Sequence, residues 1–458
     1  MDILRLRSIP FLSRISYYQE FKHILPWSVL AGLVEGQFSG VVVARTFQGT
    51  AFHIAIATLT PYASYIFSLV WGMLCVGRPK VRLLRIFATG TALAAALIGL
   101  IPATPGGTWW FMAQIALAQI LMAGVVTVRT AIWRSNYPTY ARGQITSRVQ
   151  GTRSLISVLT VQAASALSDW HPDAYRLIYP VAALMGGIGI LMLSRVRVRG
   201  EKREMRLHER KPEGEDALKG FYEPFSVTAL LSPSHVLGRM WSVFRGDPRF
   251  SVYSLAQFLH GASNLITLPI VVAVVSRDLP LDDAWGYWVS GTLISTLPTL
   301  SLLGSLSRWG RLFDGMGVLK FRVVNVLCWL VAIVLAMVAT ELTLRTPSPS
   351  FGMYLVIVGL FALRGIIHGI SHGGGTLAWN LGHLHFAKSS DAEVYMGIHV
   401  FLAGVRGLLA PLIGMWLWTR GGWSVWVVAL GCSVISLVMY AGLARMERIR
   451  NSEFRIQN

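Results

Sequence analysis

The 458-residue sequence is poor in charged residues, since Asp, Glu, Lys and Arg together make up only 14% of it. An average soluble domain is roughly 25% charged, and a soluble chain of this length would divide into domains that each need a polar surface. Hydrophobic residues make up 53% of the chain, and the mean hydropathy is +0.53. This composition excludes an ordinary soluble enzyme and a disordered chain, and it predicts a polytopic membrane protein.

Cysteine is also scarce, with three residues at positions 75, 328 and 432. Each lies in or beside an apolar run, so we expect free, buried thiols. A disulfide scaffold and a cysteine zinc site are therefore excluded. Residues 1–25 contain no short apolar core followed by a small-residue cleavage site, so no cleavable signal peptide is expected.

Long apolar runs occupy most of the sequence, and twelve of them are long enough to cross about 30 Å of hydrocarbon as helices. They lie near 26–46, 51–76, 83–103, 109–133, 146–167, 174–194, 251–276, 287–306, 322–342, 351–379, 393–418 and 422–444. Alternation with a period of two is absent, which favours helices over a barrel. The sequence thus predicts an all-α membrane protein with two six-helix halves, 1–194 and 250–458, joined by a basic linker at 195–249.

Acidic residues are few, at 22 against 41 Lys and Arg, which leaves a net charge of +19. With the N-terminus placed in the cytoplasm, 33 basic residues outside the predicted helix centres fall on the cytoplasmic side and 5 on the other side. This asymmetry is a strong positive-inside signal, so both termini and the linker are expected in the cytoplasm. Topology and contacts with anionic lipid headgroups account for the basic charge, and no nucleic-acid partner is expected.

The two halves share an internal repeat at an offset of 246 residues. Matching positions are Trp133 and Trp379, Tyr140 and Phe386, Ala141-Arg142 and Ala387-Lys388, and Gly151 and Gly397. In addition, Glu35-Gly36 in the first run lies opposite His260-Gly261 in the seventh run. Two repeated six-helix halves are typical of secondary transporters.

The sequence resembles the major facilitator superfamily in its 6+6 helices, its basic middle loop and three short motifs. The motifs are Gly72-Met-Leu74-Cys-Val-Gly77-Arg78, its echo Gly304-Ser-Leu306-Ser-Arg308-Trp-Gly310-Arg311, and Tyr137-Pro138-Thr-Tyr-Ala-Arg142-Gly143. The resemblance implies a monomeric transporter in a bacterial cytoplasmic membrane, without a cofactor. It also implies a cytoplasmic gate that contains Gly77, Arg78, Arg142, Gly310 and Arg311.

Glu35 is the one carboxylate that the sequence places in the middle of an apolar run. Ionisable groups within a membrane are costly and are functional candidates by default. One interpretation is a protonatable site that couples solute movement to a proton gradient, since burial favours the neutral carboxyl. The other is a structural partner for a buried arginine.

The tenth run carries Arg364, His368 and His372 at intervals of four residues, which places them on one helix face. Gly365, Gly369 and Gly373 form a neighbouring stripe on which another helix can pack closely. Three interpretations of the cationic stripe remain open. It forms an anion-binding or proton-relay surface, its histidines hydrogen-bond neighbouring helices, or His368 and His372 bind a metal with His383 or His385.

Three further residues are predicted at or near the membrane interior. Arg129 in the fourth run either lines a cavity or snorkels to the surface. Arg406 in the eleventh run is too deep to snorkel and needs a partner, for which Glu35 is the available carboxylate. His260 in the seventh run is a ligand or a helix-contact residue.

A hydrolase-like pattern, Gly369-Ile-Ser371-His-Gly373, overlaps with His372-Gly-Gly-Gly375. A hydrolase needs these motifs on separate loops, with the serine on a tight turn between a strand and a helix. Both lie within one predicted transmembrane helix, so no enzyme is expected. We expect a proton-coupled secondary transporter of a small solute that is anionic or zwitterionic. The alternative is a lipid-handling or sensor protein on the same scaffold, which does not transport.

Overall fold

The computed structural model describes residues 9–75, 78–171, 173–193, 195–209, 233–280, 285–386 and 392–456. Every regular element in these ranges is a helix, which confirms the all-α prediction. The helices are α1 Arg14–Glu35, α2 Phe38–Arg45, α3 Ala51–Ala63, α4 Ser68–Cys75, α5 Lys80–Leu97, α6 Pro105–Asn136, α7 Thr139–Trp170, α8 Tyr175–Leu193, α9 Glu201–Glu209, α10 Pro233–Gly246, α11 Pro248–Ala273, α12 Gly286–Gly291, α13 Leu297–Met316, α14 Val318–Arg345, α15 Phe351–Leu381, α16 Ala392–Gly421 and α17 Ser424–Ile456.

Short helical turns of other types interrupt or extend several of these helices. A 3-10 turn at Ser64–Phe67 separates α3 from α4. A π-helical turn at Val274–Asp278 extends α11, and another at Thr292–Thr296 joins α12 to α13. A 3-10 turn at Gly382–His385 follows α15. Such turns leave the backbone hydrogen-bonded within the segment, as a lipid environment requires.

Within the described ranges, nine helices are long and apolar enough to cross a bilayer, and ten if the bent pair α1 and α2 counts as one span. Two of the twelve predicted runs account for the difference. The run at 51–76 is divided into α3, the 3-10 turn and α4, each shorter than a span. The run at 146–167 lies inside α7. This helix is long enough to cross a bilayer, but it is not apolar enough to count as a membrane span.

The chain divides into two compact units. The N-terminal unit comprises Met1–Ser39 and Ser64–His235, and the C-terminal unit comprises Gly40–Ala63 and Val236–Asn458. Helix α3 therefore belongs to the C-terminal unit, where a Cβ added to Gly407 of α16 would come within 2.5 Å of the Tyr62 Cβ atom.

Helix α1 begins twelve residues before the predicted run, at Arg14 rather than near residue 26. It ends at Glu35, and the axis of α2 deviates from that of α1 by 50°. Gly36 between them has an extended backbone, and the Gln119 amide donates to the Val34 carbonyl at 2.7 Å. The expectation that Glu35 lies in mid-helix is therefore wrong, because the helix stops at this residue.

Glycines set the closest helix contacts in the N-terminal unit. A Cβ on Gly32 of α1 would lie 2.8 Å from the Ser157 Cα atom of α7, and the Ser157 hydroxyl donates to the Ser28 carbonyl at 3.3 Å. A Cβ on Gly189 of α8 would lie 3.1 Å from the His23 carbonyl oxygen. Helices approach this closely in membranes when small residues line the contact.

The predicted glycine stripe on α15 is confirmed, and its partner is α13. A Cβ on Gly369 would lie 2.8 Å from the Pro298 Cα atom, and one on Gly373 would lie 2.7 Å from the Ser305 hydroxyl. Helices α13 and α14 are joined at Gly317, whose φ of 74° is readily adopted only by glycine.

The linker carries two helices, α9 and α10, and residues 210–232 between them lie outside the described residues. Residues 225–245 of the linker are rich in apolar side chains, which predicts an amphipathic helix at the membrane surface, and the structure describes this segment only in α10. There, Met240 is buried and Trp241 is exposed, with the Arg245 guanidinium 5.2 Å from the Trp241 ring centroid. This combination fits a helix at a membrane surface.

Candidate functional sites in the two units

An ion pair joins Glu35 at the end of α1 to Arg153 on α7 in the N-terminal unit. The Glu35 side chain is 31% exposed and the Arg153 side chain is 15% exposed. The second carboxylate oxygen of Glu35 is buried and has no hydrogen-bond partner among the described residues, and the same is true of the side-chain oxygen of Gln37. The structure thus pairs Glu35 with an arginine, as one of the two interpretations expected.

Arg129 on α6 is 5% exposed, so it does not snorkel to the surface. Its guanidinium donates to His23 Nε2 at 2.8 Å, while His23 Nδ1 lies 2.8 Å from the Gly189 carbonyl oxygen. These contacts fit a neutral imidazole that donates from Nδ1 and accepts at Nε2. The snorkelling alternative is wrong because a buried partner holds Arg129 in the helix bundle.

Glu20 on α1 is a second buried carboxylate, with 5% exposure. It accepts hydrogen bonds from the Tyr137 hydroxyl, at 2.6 Å, and from the Trp133 indole. It also interacts electrostatically with Arg129. Burial and the Glu20 carboxyl hold the pKa of the Tyr137 phenol above its usual value, so Tyr137 acts as a donor. Glu20 is not among the predicted site residues, because the predicted first run begins near residue 26 and α1 begins at Arg14.

In the C-terminal unit, Arg364 on α15 is 3% exposed, and its Nε atom has no hydrogen-bond partner in the part of the chain that the structure describes. It interacts electrostatically with Tyr62 of α3 and with His368. No described carboxylate forms a salt bridge with it. Arg364 is therefore a buried cation whose described surroundings provide no countercharge.

The two histidines predicted on one face of α15 differ in their surroundings. The rings of His368 and His372 stack with centroids 6.3 Å apart, and His372 is exposed. His368 also meets Trp329 of α14 edge to face at 4.8 Å, and Trp329 meets His260 of α11 at 5.7 Å. His260 is buried. The aromatic ring of Trp329 thus joins two histidines that the sequence analysis treated separately.

Arg406 on α16 does not use the partner that the sequence suggested. It donates to the Gln257 carbonyl oxygen at 2.8 Å, while the Glu35 carboxylate pairs with Arg153. The Gln257 side-chain oxygen accepts from the Tyr440 hydroxyl at 2.9 Å, and that hydroxyl accepts from Arg322 at 2.8 Å. The expected Glu35 partner was wrong because the sequence analysis counted Arg153 as a surface residue.

Arg322 was missed for the same reason. It was assigned to a cytoplasmic connection, yet it lies inside α14 and is only 1% exposed. Arg322 lies at the start of an apolar run and Arg153 lies in the first half of another, where a buried arginine and a topological arginine look alike in sequence. The i, i+3 spacing of Glu20 with His23, and of Gln257 with His260, is a signal that could have indicated polar faces.

The predicted gate residues lie in different elements of the fold. Gly310 and Arg311 lie inside α13, so the second motif is helical rather than a loop. Arg142 donates to the carbonyl oxygens of Tyr137 and Arg134 at 3.1 Å each, and therefore holds the end of α6. Arg78 is exposed just before α5, and Gly77 lies outside the described residues.

The hydrolase-like motif lies in the continuous helix α15. The Ser371 hydroxyl donates to the Ile367 carbonyl at 2.8 Å, as expected for a serine within a helix. Asn325 of α14 donates to the Ser371 carbonyl at 2.7 Å. Among the residues that the structure describes, no three His, Cys, Asp or Glu side chains form a group that could hold a metal ion.

Comparison with known proteins addresses the fold as a whole. A family model described as Major Facilitator Superfamily matches residues 27–381. The fold is similar to a solved mutant of the nucleoside transporter NupG, with a TM-score of 0.68, 12% identity, and coverage of 93% of this chain and 99% of that chain. It is also similar to a D-xylose-proton symporter, with a TM-score of 0.62, 12% identity, and coverage of 93% and 96%. The sequence matches no individual curated protein.

Proposed function

Because the chain belongs to the major facilitator superfamily, we propose that it is a secondary active transporter that moves a small solute by alternating access, coupled to protons. The family and the fold are those of transporters, which are not enzymes. They support transport in general. Proton coupling and the class of solute are argued from the two units separately.

The Glu35–Arg153 ion pair is the observation that carries the proposal. It lies where the first span breaks, a place where ligand and ion sites are common in transporters. A proton on Glu35 removes its charge, ends the ion pair and leaves Arg153 without a partner. The pair is thus an element with two states that differ by one proton, as coupling requires.

The solute class follows from Arg364 in the C-terminal unit. A guanidinium does not deprotonate in proteins, and an unpaired buried cation is strongly unfavourable. An acidic group on the solute would supply the missing charge in a bidentate pair. His368 and His372 add positive charge when protonated. We therefore propose an anionic or zwitterionic solute, and a neutral solute is the alternative.

The cellular arrangement is proposed from the charge distribution. Along the sequence, residues 1–194 and 250–458 are two six-helix repeats joined by 195–249, and both termini and the linker lie in the cytoplasm. The membrane is a bacterial cytoplasmic membrane, and the protein acts as a monomer surrounded by lipid. Of the 33 basic residues assigned to the cytoplasmic side, 31 carry this proposal, since Arg153 and Arg322 lie within helices α7 and α14.

The test uses purified protein in liposomes that contain a trapped fluorescent pH indicator. Nucleosides, pentoses, carboxylic acids and amino acids are added in turn, with an opposing pH gradient imposed in a second series. A solute that moves with protons changes the internal pH without needing a label. If no solute in any class changes it, the proposal fails and a lipid-handling or sensor protein becomes the better interpretation.

Two variants assign the proton step. Glu35→Gln cannot titrate, so it should abolish gradient-driven accumulation while exchange of solute across the membrane stays measurable. Glu341→Gln is the matched control, because Glu341 also pairs with an arginine, Arg345, at 3.4 Å. Its accumulation should equal that of the wild type. Full accumulation by Glu35→Gln would exclude Glu35 from coupling.

A further inference from the structure

A chain of hydrogen bonds connects two arginines in the C-terminal unit. Arg322 of α14 donates to the Tyr440 hydroxyl at 2.8 Å, which donates to the Gln257 side-chain oxygen at 2.9 Å. Arg406 of α16 donates to the Gln257 carbonyl oxygen at 2.8 Å. The two guanidiniums therefore share one small polar region, and they interact electrostatically with each other.

This region contains unused hydrogen-bonding groups. Among the described residues, the Nε atoms of Arg322 and Arg406 are buried and have no hydrogen-bond partner, and the same holds for His260 Nδ1 and His399 Nε2. Both arginines interact electrostatically with both histidines. Buried polar groups are almost always hydrogen-bonded in native proteins, so these four nitrogens beside two cations favour the binding of a polar ligand.

The charge is unbalanced as well. The ion pairs among the described residues are Arg153 with Glu35, Arg345 with Glu341, and His385 with Glu447, and none involves Arg322 or Arg406. Both side chains keep their charge in any protein environment. Water could supply hydrogen bonds here but could not neutralise two positive charges.

The N-terminal unit solves the same problem internally. Its buried Arg129 has the carboxylate of Glu20 nearby, and Glu20 accepts from the Tyr137 hydroxyl at 2.6 Å. In the C-terminal unit, the Tyr440 hydroxyl donates instead to the side-chain oxygen of Gln257, which is neutral. The acceptor of the tyrosine hydroxyl is therefore a carboxylate in the N-terminal network and a neutral amide in the C-terminal network.

We propose that the polar region formed by Arg322, Arg406, Gln257, Tyr440 and His260 binds a monovalent anion of halide or carboxylate size. Guanidinium groups and the imidazole of His260 donate hydrogen bonds to such an anion, while Tyr440 and Gln257 hold the arginines in place. The anion supplies the negative charge that Glu20 supplies in the N-terminal unit. It comes from the medium as a halide or from the acid group of a small organic molecule. The proposal needs no transported solute, so it stands apart from the proposed function.

The test measures the melting temperature of the purified full-length protein in detergent. Gluconate, a much larger anion, is replaced at constant ionic strength by chloride or bromide in one series and by formate or acetate in the other. A ligand that binds the folded state raises the melting temperature in a saturable way. A response to halides alone identifies a halide site, and a response to the small carboxylates identifies an acid-group site. Equal melting temperatures in all salts would overturn the proposal.

Substitutions test whether the rise in melting temperature with anion concentration comes from this polar region. Arg322→Gln removes one cation and should raise the half-saturating anion concentration roughly tenfold or more. Gln257→Glu keeps the shape and provides an internal carboxylate, so it should abolish the anion response and raise the melting temperature in gluconate. It keeps the test decisive if Arg322→Gln does not fold. Arg345→Gln is the control, because Arg345 is 73% exposed, and it should respond like the wild type. Wild-type responses from both interior variants would show a general salt effect and refute the site.

Discussion

The Arg153 guanidinium is paired with the Glu35 carboxylate where the first span breaks. Removing one member leaves the other as an unpaired charge in a partly buried site. We expect Glu35→Gln and Arg153→Gln each to lower the free energy of unfolding by about 1–3 kcal/mol, less than for a fully buried pair because both side chains retain some exposure. The double variant should lose less than the sum of the two, measured by unfolding in mixed micelles.

The Glu341–Arg345 pair provides the reference for that cycle. Its arginine is 73% exposed, so its coupling free energy should be only about 0.3–0.5 kcal/mol. Strictly additive effects of Glu35→Gln and Arg153→Gln would mean that the ion pair makes no energetic contribution.

Arg364→Lys tests the proposed contact with an acidic solute. Lysine keeps the positive charge but cannot form a bidentate pair with a carboxylate. The solute dissociation constant should therefore rise roughly tenfold, while the melting temperature changes little. Binding is measured by scintillation proximity with the solute found in the liposome screen. Arg345→Lys serves as the exposed control. Unchanged binding by Arg364→Lys, or transport of lipophilic cations, would contradict an anionic solute.

Gly369→Ala tests the contact between α15 and α13. The new methyl group would meet the backbone of Pro298, with the Cα atom at 2.8 Å, and a proline backbone cannot move aside easily. We expect a loss of about 1–3 kcal/mol in the free energy of unfolding. Gly359→Ala on the same helix is the matched control because nothing lies within 4 Å of its added methyl group. Equal stabilities of the two variants would show that the helices can separate without penalty.

The membrane orientation can be tested without any solute. Alkaline phosphatase, which is active only outside the cytoplasm, should be inactive when fused after Gly246 at the end of α10. Fused at residue 347, between α14 and α15, it should be active, since the positive-inside pattern places that connection outside. The reverse pattern of activities would overturn the proposed orientation of both termini.

Long, regular sequence patterns, such as apolar runs and evenly spaced glycines, predicted the structure most reliably. Apolar runs predicted the all-α fold, and the spacing of Gly365, Gly369 and Gly373 predicted a close helix contact that α13 provides. The prediction was least reliable at the ends of those runs. Glu20 fell before the predicted start of α1, and Arg322 fell at the predicted start of the ninth run, so both were missed as interior residues.

Hydropathy and charge asymmetry are properties of single segments, so the amino-acid sequence by itself determined that this is a helical membrane protein of the major facilitator superfamily. The partners of its buried charges depend on which helices pack side by side. Only the tertiary structure decided that Glu35 pairs with Arg153, that Arg406 binds the Gln257 carbonyl, and that Glu20 lies near Arg129. The physical reason is that a buried charge is stabilised by whichever oppositely charged or hydrogen-bonding group the fold brings within a few ångströms, and distance along the chain carries no such information.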